Sequence, residues 1–478
     1  MIILRILLAF LLLLLLLLLA ALLNTLRIPS KRSDYVPDPD PERALRYAEK
    51  LSEMVKYDTT SVPNADQREQ FLGFHRILEK LFPLVHQRLE KTEIDGNLLF
   101  FWKGSSSERP IVLMSHQDVV PAEGNWQHEP FSGDIADGKV WGRGSSDTKC
   151  SVMAFFQAVE ELLSEGYIPP QDVYLCSSCT EEWGGDGCPK LVAELKQRGV
   201  NPWLVCDEGG GIITDPMAGI QGNFAMIGVF EKGKADVDFI ARSHGGHAST
   251  PQKGSPIARL AAFVHYMETH DVFRRRLPPE VAALFRRLAP YAPFPLKYVF
   301  SNLWLFSPVL LRVLPGISAQ AGAMTRTTIA FTMQKGSDAY NVMPQEAVLG
   351  ADLRLIPHQG LAESLSLLQD LAKRFDLEMI VRFASDYTKP VDIHGEAFRT
   401  VEDVVARTFP GCADTPYVMT GATDSSFFEG YCANVIRFAP VVYGPEQMRG
   451  MHGIDENIEY NCLPGAVDFY KNLIDAVV

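Results

Sequence analysis

The sequence predicts an α/β fold, a mostly parallel sheet covered by helices, with a second, α+β domain inserted into it. Three observations carry this. First, three short apolar runs, each long enough only for a buried strand, end directly in acids or histidine. Residues 111–114 run into Ser-His116-Gln-Asp118, residues 173–175 lead to Glu181-Glu182, and residues 203–206 run into Asp207-Glu208. Second, helical patterns separate these runs, notably residues 151–165, closed by Gly166 in the C-terminal capping position. Strand and helix in alternation imply a parallel sheet covered on both faces, and ligands of such sheets sit beyond the strands' carboxyl ends. Third, after Asn223 the order becomes strand, helix, strand, then strand, helix, strand, at 234–241, 257–267, 327–332, 347–355, 361–375 and 379–383. This suits a four-stranded antiparallel sheet with two helices on one face.

A chain of 478 residues, 47% hydrophobic and 22% charged, buries a core easily and at this length divides into domains. The net charge of -13 excludes nucleic acid as a partner, since that affinity rests on Lys and Arg. Eight cysteines are too few for a disulfide scaffold. Cys176-x-x-Cys179, on the approach to the Glu pair, reads as strand packing rather than a redox motif.

Element by element, residues 6–23 are uninterrupted Leu, Ala, Ile and Phe between Arg5 and Arg27, nearly enough to span a bilayer as a helix. The segment 1–28 reads as a signal anchor; a cleaved signal peptide is the alternative, with Ala20 and Ala21 at the cut. Either way the body is membrane-anchored or secreted, outside the cytoplasm. Residues 29–41, polar and proline-bearing, read as an extended tether holding the body off the membrane. Leu45, Ala48, Leu51 and Val55 then mark a first amphipathic helix. The body divides into 42–223, the inserted 224–388 and 389–478.

Between the first two strands, Trp141-Gly-Arg-Gly-Ser-Ser-Asp147 forms a glycine-bearing loop that opens a helix, and Met451-His452-Gly453 lies in a stretch too polar for a core element. His116, Asp147, Glu182, Asp207 and His452 are therefore the candidate ligands. Mixed imidazole and carboxylate donors suit zinc, and one bridging carboxylate lets five side chains hold two ions.

At these residues the sequence resembles the di-zinc metallopeptidase family that contains carboxypeptidase S, aminoacylase and glutamate carboxypeptidase. The matching blocks are SHQDVVP (115–121), WGRGSSDTK (141–149), TEEWGG (180–185), DEGG (207–210), GGHAS (245–249), NVMP (341–344), GATDS (421–425) and MHGIDE (451–456). They occur in the family's order over about 44–478. The branch most similar is carboxypeptidase S with the N-fatty-acyl-amino-acid synthase/hydrolase. The resemblance implies two zinc ions bridged by Asp147, with Glu182 and His452 at one and His116 and Asp207 at the other. Glu181 would be the general base, and Asp118 would accept the second ring N–H of His116. A cis peptide is implied after Asp147. The inserted domain becomes a lid, in which His247 stabilises the oxyanion and Arg354, aided by Asn341, recognises the substrate carboxylate. Some relatives pair their lids across a dimer, so a homodimer through the lid is an expectation.

The resemblance implies zinc-dependent hydrolysis of the amide bond to a C-terminal amino acid, carboxypeptidase S-like. The alternative acyl group is a fatty acid, and the substrate is then an N-acyl amino acid. A non-catalytic binding protein fits less well, because every ligand and Glu181 are present. No Gly-x-Ser-x-Gly elbow supports a serine hydrolase. Residues 271–320 are an extra segment rich in aromatic residues, expected as local core that stiffens the lid; an acyl-chain groove or membrane-facing patch is the other reading.

Overall fold

Strand alternation decides how the central sheet is covered. In the strand Ser106–Met114, Ile111 and Leu113 enter one apolar layer and Val112 and Met114 the other, all four buried. Successive side chains of a strand leave opposite faces, so this strand needs helices on both. Pro41–Val55, Lys149–Ser164 and Leu463–Ala476 cover one face and Gly187–Gln197 the other. Lys149–Ser164 buries residues all round, Val152, Met153, Phe155, Phe156 and Val159 among them, so it lies inside the body.

The computed structural model describes residues 2–37 and 40–478. Its ten-stranded sheet runs in the order Glu90–Ile94, Asn97–Trp102, Gln171–Ser177, Ser106–Met114, Leu204–Asp207, Val435–Arg437, Asn223–Glu231, Gly211–Thr214, Val442–Tyr443, with Ala413–Met419 paired to Asn223–Glu231. The sheet is mixed. Gln171–Ser177, Ser106–Met114, Leu204–Asp207 and Val435–Arg437 form a parallel centre, and antiparallel pairs flank it. Short turns such as Asp95-Gly96 make the flanking hairpins, whereas the parallel centre needs helical crossovers.

The smaller sheet, Thr328–Lys335, Glu346–Leu355, Gly233–Arg242, Glu378–Ser385, is antiparallel throughout. The helices Pro256–Thr269 and Leu361–Arg374 close one face over Val237, Phe239, Leu349 and Leu353.

Two segments make contacts in the structure that the sequence did not suggest. The extra segment divides: Phe273 is buried in the lid's apolar core with Val272 against it, and Arg274 bonds Gln359 and Glu363 there, but the rest packs elsewhere. Its helices Pro279–Leu288, Phe294–Phe300 and Leu303–Ile317 send Val281, Phe285, Phe300, Leu310 and Leu314 into the core of the large sheet. Phe285 stacks on Phe300 at 4.8 Å between centroids, and Tyr291 meets Phe224 of a central strand at 5.2 Å. Aromatic content marked a core without saying whose. The tether does not stand free either: Ser33 and Tyr35 are buried, Asn223 Nδ2 donates to the Tyr35 carbonyl, Asp34 N–H bonds Gly411 O, and Tyr35 packs edge-on against Phe409. Partners for its backbone and its one ring make the segment a strap along the body.

The N-terminal helix, Ile2–Arg27, is exposed over most of its length and touches the body only at its last turns. Among the described residues all eight cysteines are free thiols, and all but Cys412 are buried. Replacing Phe285 with Ala is expected to cost about 3–5 kcal/mol through the cavity left between the extra segment and the large sheet. A fall in the denaturant midpoint of the whole body checks it, whereas a segment belonging to the lid would leave that transition in place.

Candidate active site

The three adjacent parallel strands Gln171–Ser177, Ser106–Met114 and Leu204–Asp207 bring their carboxyl ends to one edge of the sheet. His116, the Glu181-Glu182 pair and Asp207-Glu208 follow them directly. Asp147 comes from the loop before Lys149–Ser164, and the Asp147-Thr148 peptide is cis. His452, in a left-handed turn at φ 54, follows the short helix Pro445–Gly450.

Asp147 stands at the centre. One of its oxygens lies 3.2 Å from His116 Nε2 and the other 3.1 Å from His452 Nε2. His452 Nε2 is also 3.1 Å from Glu182, and Glu181 approaches His116 at 4.0 Å. The two imidazoles outweigh burial and hold the Asp147 carboxyl below its usual range. Burial opposes charge on His116, yet Asp118 and Asp147 raise its pKa well above the ordinary value, and Asp147 with Glu182 brings His452 to about 10. Burial pushes the Glu181 and Glu208 carboxyls well up, and Glu182 upward too.

Asp118 does more than orient a ring. His116 Nδ1 bonds the Asp118 backbone carbonyl at 2.9 Å, with the carboxylate farther off at 3.5 Å. That carboxylate instead accepts the N–H groups of Glu181 and Glu182, both at 3.2 Å, and the Ser61 hydroxyl. It ties the first strand end to the turn carrying the Glu pair.

Sequence reasoning missed Glu456, the last residue of the MHGIDE block. Its buried carboxylate accepts the N–H groups of Gly144 (3.0 Å), Ser146 (2.9 Å) and Asp147 (2.9 Å) and the Ser146 hydroxyl, and pairs with Arg143 at 2.6 Å. Arg143 reaches on to the Gly453 carbonyl at 2.7 Å, beside His452. One acid thus holds the Asp147 loop against the His452 turn. An acid next to Asp455 in a polar stretch gave no sign of this.

Of the two acids at this strand end, Glu208 and not Asp207 is among the residues that line the cleft. The two oxygens of Asp207 accept the N–H groups of Glu208 and Ser425, each at 2.9 Å. Glu208, one residue on, lines the cleft with Asp147, Glu181, Glu182 and His452, and Asp147 and His116 are the strongest charges acting on it. The two adjacent acids were indistinguishable by sequence.

The lid residues divide. Arg354 lines the cleft while its Nε donates to Asp352 at 2.9 Å. His247 and Asn341 do not join it. They lie at the lid's edge, where Gly246–His247 pairs with Val342–Met343 and His247 Nδ1 meets the exposed Ser249 hydroxyl at 2.7 Å.

The cleft, about 1390 Å³, is lined both by the acids and by the apolar residues Met217, Met226, Leu284, Leu288, Ala321 and Met324. The donor set fits divalent cations. Oxygens and imidazole nitrogens of Glu182, Asp147 and His116 lie within 4.8 Å of one another, and Glu182 Oε1 is buried without a hydrogen-bond partner. Burying so many carboxylates side by side requires added positive charge.

This fold and this site define a metal-dependent hydrolase. The pattern of peptidase family M20/M25/M40 matches residues 112–476, and the chain belongs to that family of di-zinc metallohydrolases. It is similar to carboxypeptidase S-like 2 of Dictyostelium discoideum, 31% identical over 95% of this chain and 90% of the relative. It is also similar to the N-fatty-acyl-amino acid synthase/hydrolase of Homo sapiens, 32% identical over 94% and 89%. The crystal structure of an M20 family metallo-carboxypeptidase from Sulfolobus solfataricus superposes with a TM-score of 0.67 at 17% identity, covering 90% of this chain and 99% of that one.

Glu208→Gln is expected to lower bound zinc towards one ion per chain, whereas Asp207→Asn keeps two and lowers stability instead. Metal analysis of the purified proteins, beside their unfolding midpoints, separates the two acids. Glu456→Ala, which leaves the buried donors of the Asp147 loop unpaired, is expected to destabilise by several kcal/mol, read in the same unfolding measurement.

Proposed function

We propose that the chain hydrolyses N-acyl amino acids with long apolar acyl groups, releasing the amino acid. The observation that carries this reading is the cleft wall: Leu284 and Leu288, from the extra segment, and Ala321 and Met324, just beyond it, line the same cavity as Glu181 and His452. An unbranched hydrocarbon chain matches such a wall, and Arg354 with Lys234 at the lid side suits the amino acid's carboxylate. Carboxypeptidase S-like action on peptides breaks the same bond and differs only in the acyl group.

In this reading Asp147, Glu182, His452, His116 and Glu208 would hold the two zinc ions, Asp147 from its place between the two imidazoles. Zinc, when bound, polarises the scissile carbonyl and acidifies a water. Glu181 takes a proton from the attacking water, whose oxygen bonds the carbonyl carbon. It returns the proton to the amine nitrogen as the C–N bond breaks, leaving a free acid and an amino acid. Burial of Glu181, which raises its pKa, suits the return of the proton to the amine. Asp118 positions the Glu181 backbone rather than reacting. His247 and Asn341, at the lid's edge, would act on an oxyanion or carboxylate only after lid closure or from a second copy, which keeps a homodimer through the lid within the proposal.

The proposed division is a catalytic body of 42–223 and 389–478, to which the extra segment is added, and a lid of the remaining inserted residues. The N-terminal helix is a signal anchor that holds the body on the extracytoplasmic side.

The test compares amino-acid release from matched dipeptides, short N-acyl and long N-acyl amino acids, with and without a chelator. The long-acyl series is expected to turn over fastest and to stop with chelator; fastest release from dipeptides would return the protein to the carboxypeptidases. Glu181→Gln is expected to keep its zinc and lose about 10²–10⁴ in kcat.

A further inference from the structure

The N-terminal helix and the extra segment are fastened together over that helix's last turns. Tyr298 OH donates to the Leu18 carbonyl at 2.8 Å; buried Asn302 Nδ2 donates to Ala21 O at 3.0 Å and Thr25 Oγ1 at 2.9 Å; Asn24 Nδ2 donates to Ser301 O at 3.0 Å; and Lys297 Nζ donates to Ile28 O at 2.6 Å. Every bond falls from Leu18 onward. Between Arg5 and those turns, residues 6–17 rise about 18 Å at ~1.5 Å each, well short of a hydrocarbon core of ~30 Å. A helix that spans must therefore include residues 18–23, the same turns that Tyr298 and Asn302 hold. Whatever carries Tyr298 and Asn302 then lies where hydrocarbon meets headgroups.

What carries them is a pair of helices, Phe294–Phe300 and Leu303–Ile317, bent by 110°. The second is apolar on both sides. Leu303, Leu310 and Leu314 face the core, while Trp304, Val309, Val313 and Ile317 face outward, between 45% and 65% exposed. A helix facing water carries a polar outer face; this one carries a single charge, Arg312, whose stem is long enough to reach headgroups. Phe294 extends the outward patch, 52% exposed, and Trp and Tyr favour this depth of a bilayer. The helix ends at Ile317, and Ser318, Gln320, Ala321 and Met324 directly after it line the cleft.

We propose that Leu303–Ile317 is a second membrane element, lying in the interfacial layer of the bilayer that the N-terminal helix spans, and that it seats the apolar lining of the cleft on the lipid surface. The proposal rests on the anchor reading of the N-terminal helix and deepens it. The occupant of the exposed face is lipid, because that face continues the surface of a helix whose own depth is set by its length. The strap at Ser33 and Tyr35 keeps the body close to the bilayer instead of letting it swing.

The test uses the full chain in phosphatidylcholine vesicles containing lipids brominated at defined acyl positions, which quench tryptophan on contact. The Trp304 signal, taken as wild type minus Trp304→Phe, is expected to be quenched by bromine near the headgroup end, and a Phe10→Trp variant by bromine deeper in the chain. Quenching of the Phe10→Trp signal without that of Trp304 overturns the proposal while the anchor stands, and assigns the face to a second copy or another protein. Quenching of neither overturns both. In a second arm, Val309→Glu with Val313→Glu is expected to leave hydrolysis of a water-soluble short N-acyl amino acid unchanged. The same variant should lose hydrolysis of a long-chain N-acyl amino acid dissolved in the vesicles; full retention of that activity overturns the proposal.

Discussion

Carboxylates gathered out of water are tolerated only where positive charge is brought to them, and that requirement shapes this protein from the central sheet outward. Asp147, Glu181, Glu182 and Glu208 share one cleft, and the two nearest cations the chain supplies are the imidazoles of His116 and His452. Burial drives Glu181 and Glu208 towards the neutral form and brings Asp424, behind them, to about 8. Two divalent ions would replace the protons on those imidazoles and raise the positive charge, so metal binding and stability are linked in the same residues.

The neighbouring acids have other partners within the chain. Glu456 is satisfied by backbone N–H groups and Arg143, Asp118 by two N–H groups and a hydroxyl, Asp207 by two N–H groups. Glu231 accepts from buried Arg437 at 2.8 Å and from Thr423 and Ser425. These partners come from opposite ends of the chain: the Glu456–Asp147 contact spans 309 residues. The last segment therefore returns to the sheet with two tasks, supplying His452 and clamping the loop that presents Asp147.

Much of this was legible because strands that end in ligands are short and apolar, and the cleft lies where a parallel sheet places it. His116 and Glu182 were reached that way, Asp147 from a glycine-bearing loop that opens a helix and His452 from a stretch too polar for core; the six elements of the lid were legible because alternation and helical spacing are local properties. What stayed hidden was non-local. Asp207 and Glu208 differ only in which way each side chain turns at a strand end, and Ser425, which captures Asp207, lies 218 residues away. Glu456 looked like one more loop acid. The aromatic run at 294–306 carried no mark of whether it would pack on the lid, on the large sheet or on another helix, and the proline-rich strap hid one buried tyrosine among solvated residues.

The free thiols have a use of a different kind. Burial both shields them and holds them protonated, Cys432 near 11 and Cys412 near 12, so the folded chain resists alkylation and an opened one does not. They are spread through distinct layers. Cys412 bonds the Asn223 carbonyl where the strap crosses, Cys150 and Cys462 sit among the helices of one face, and Cys176 and Cys188 occupy the other. The molecule therefore carries its own set of chemical clocks, and the order in which they start would record whether the strap lifts before either face of the sheet lets go.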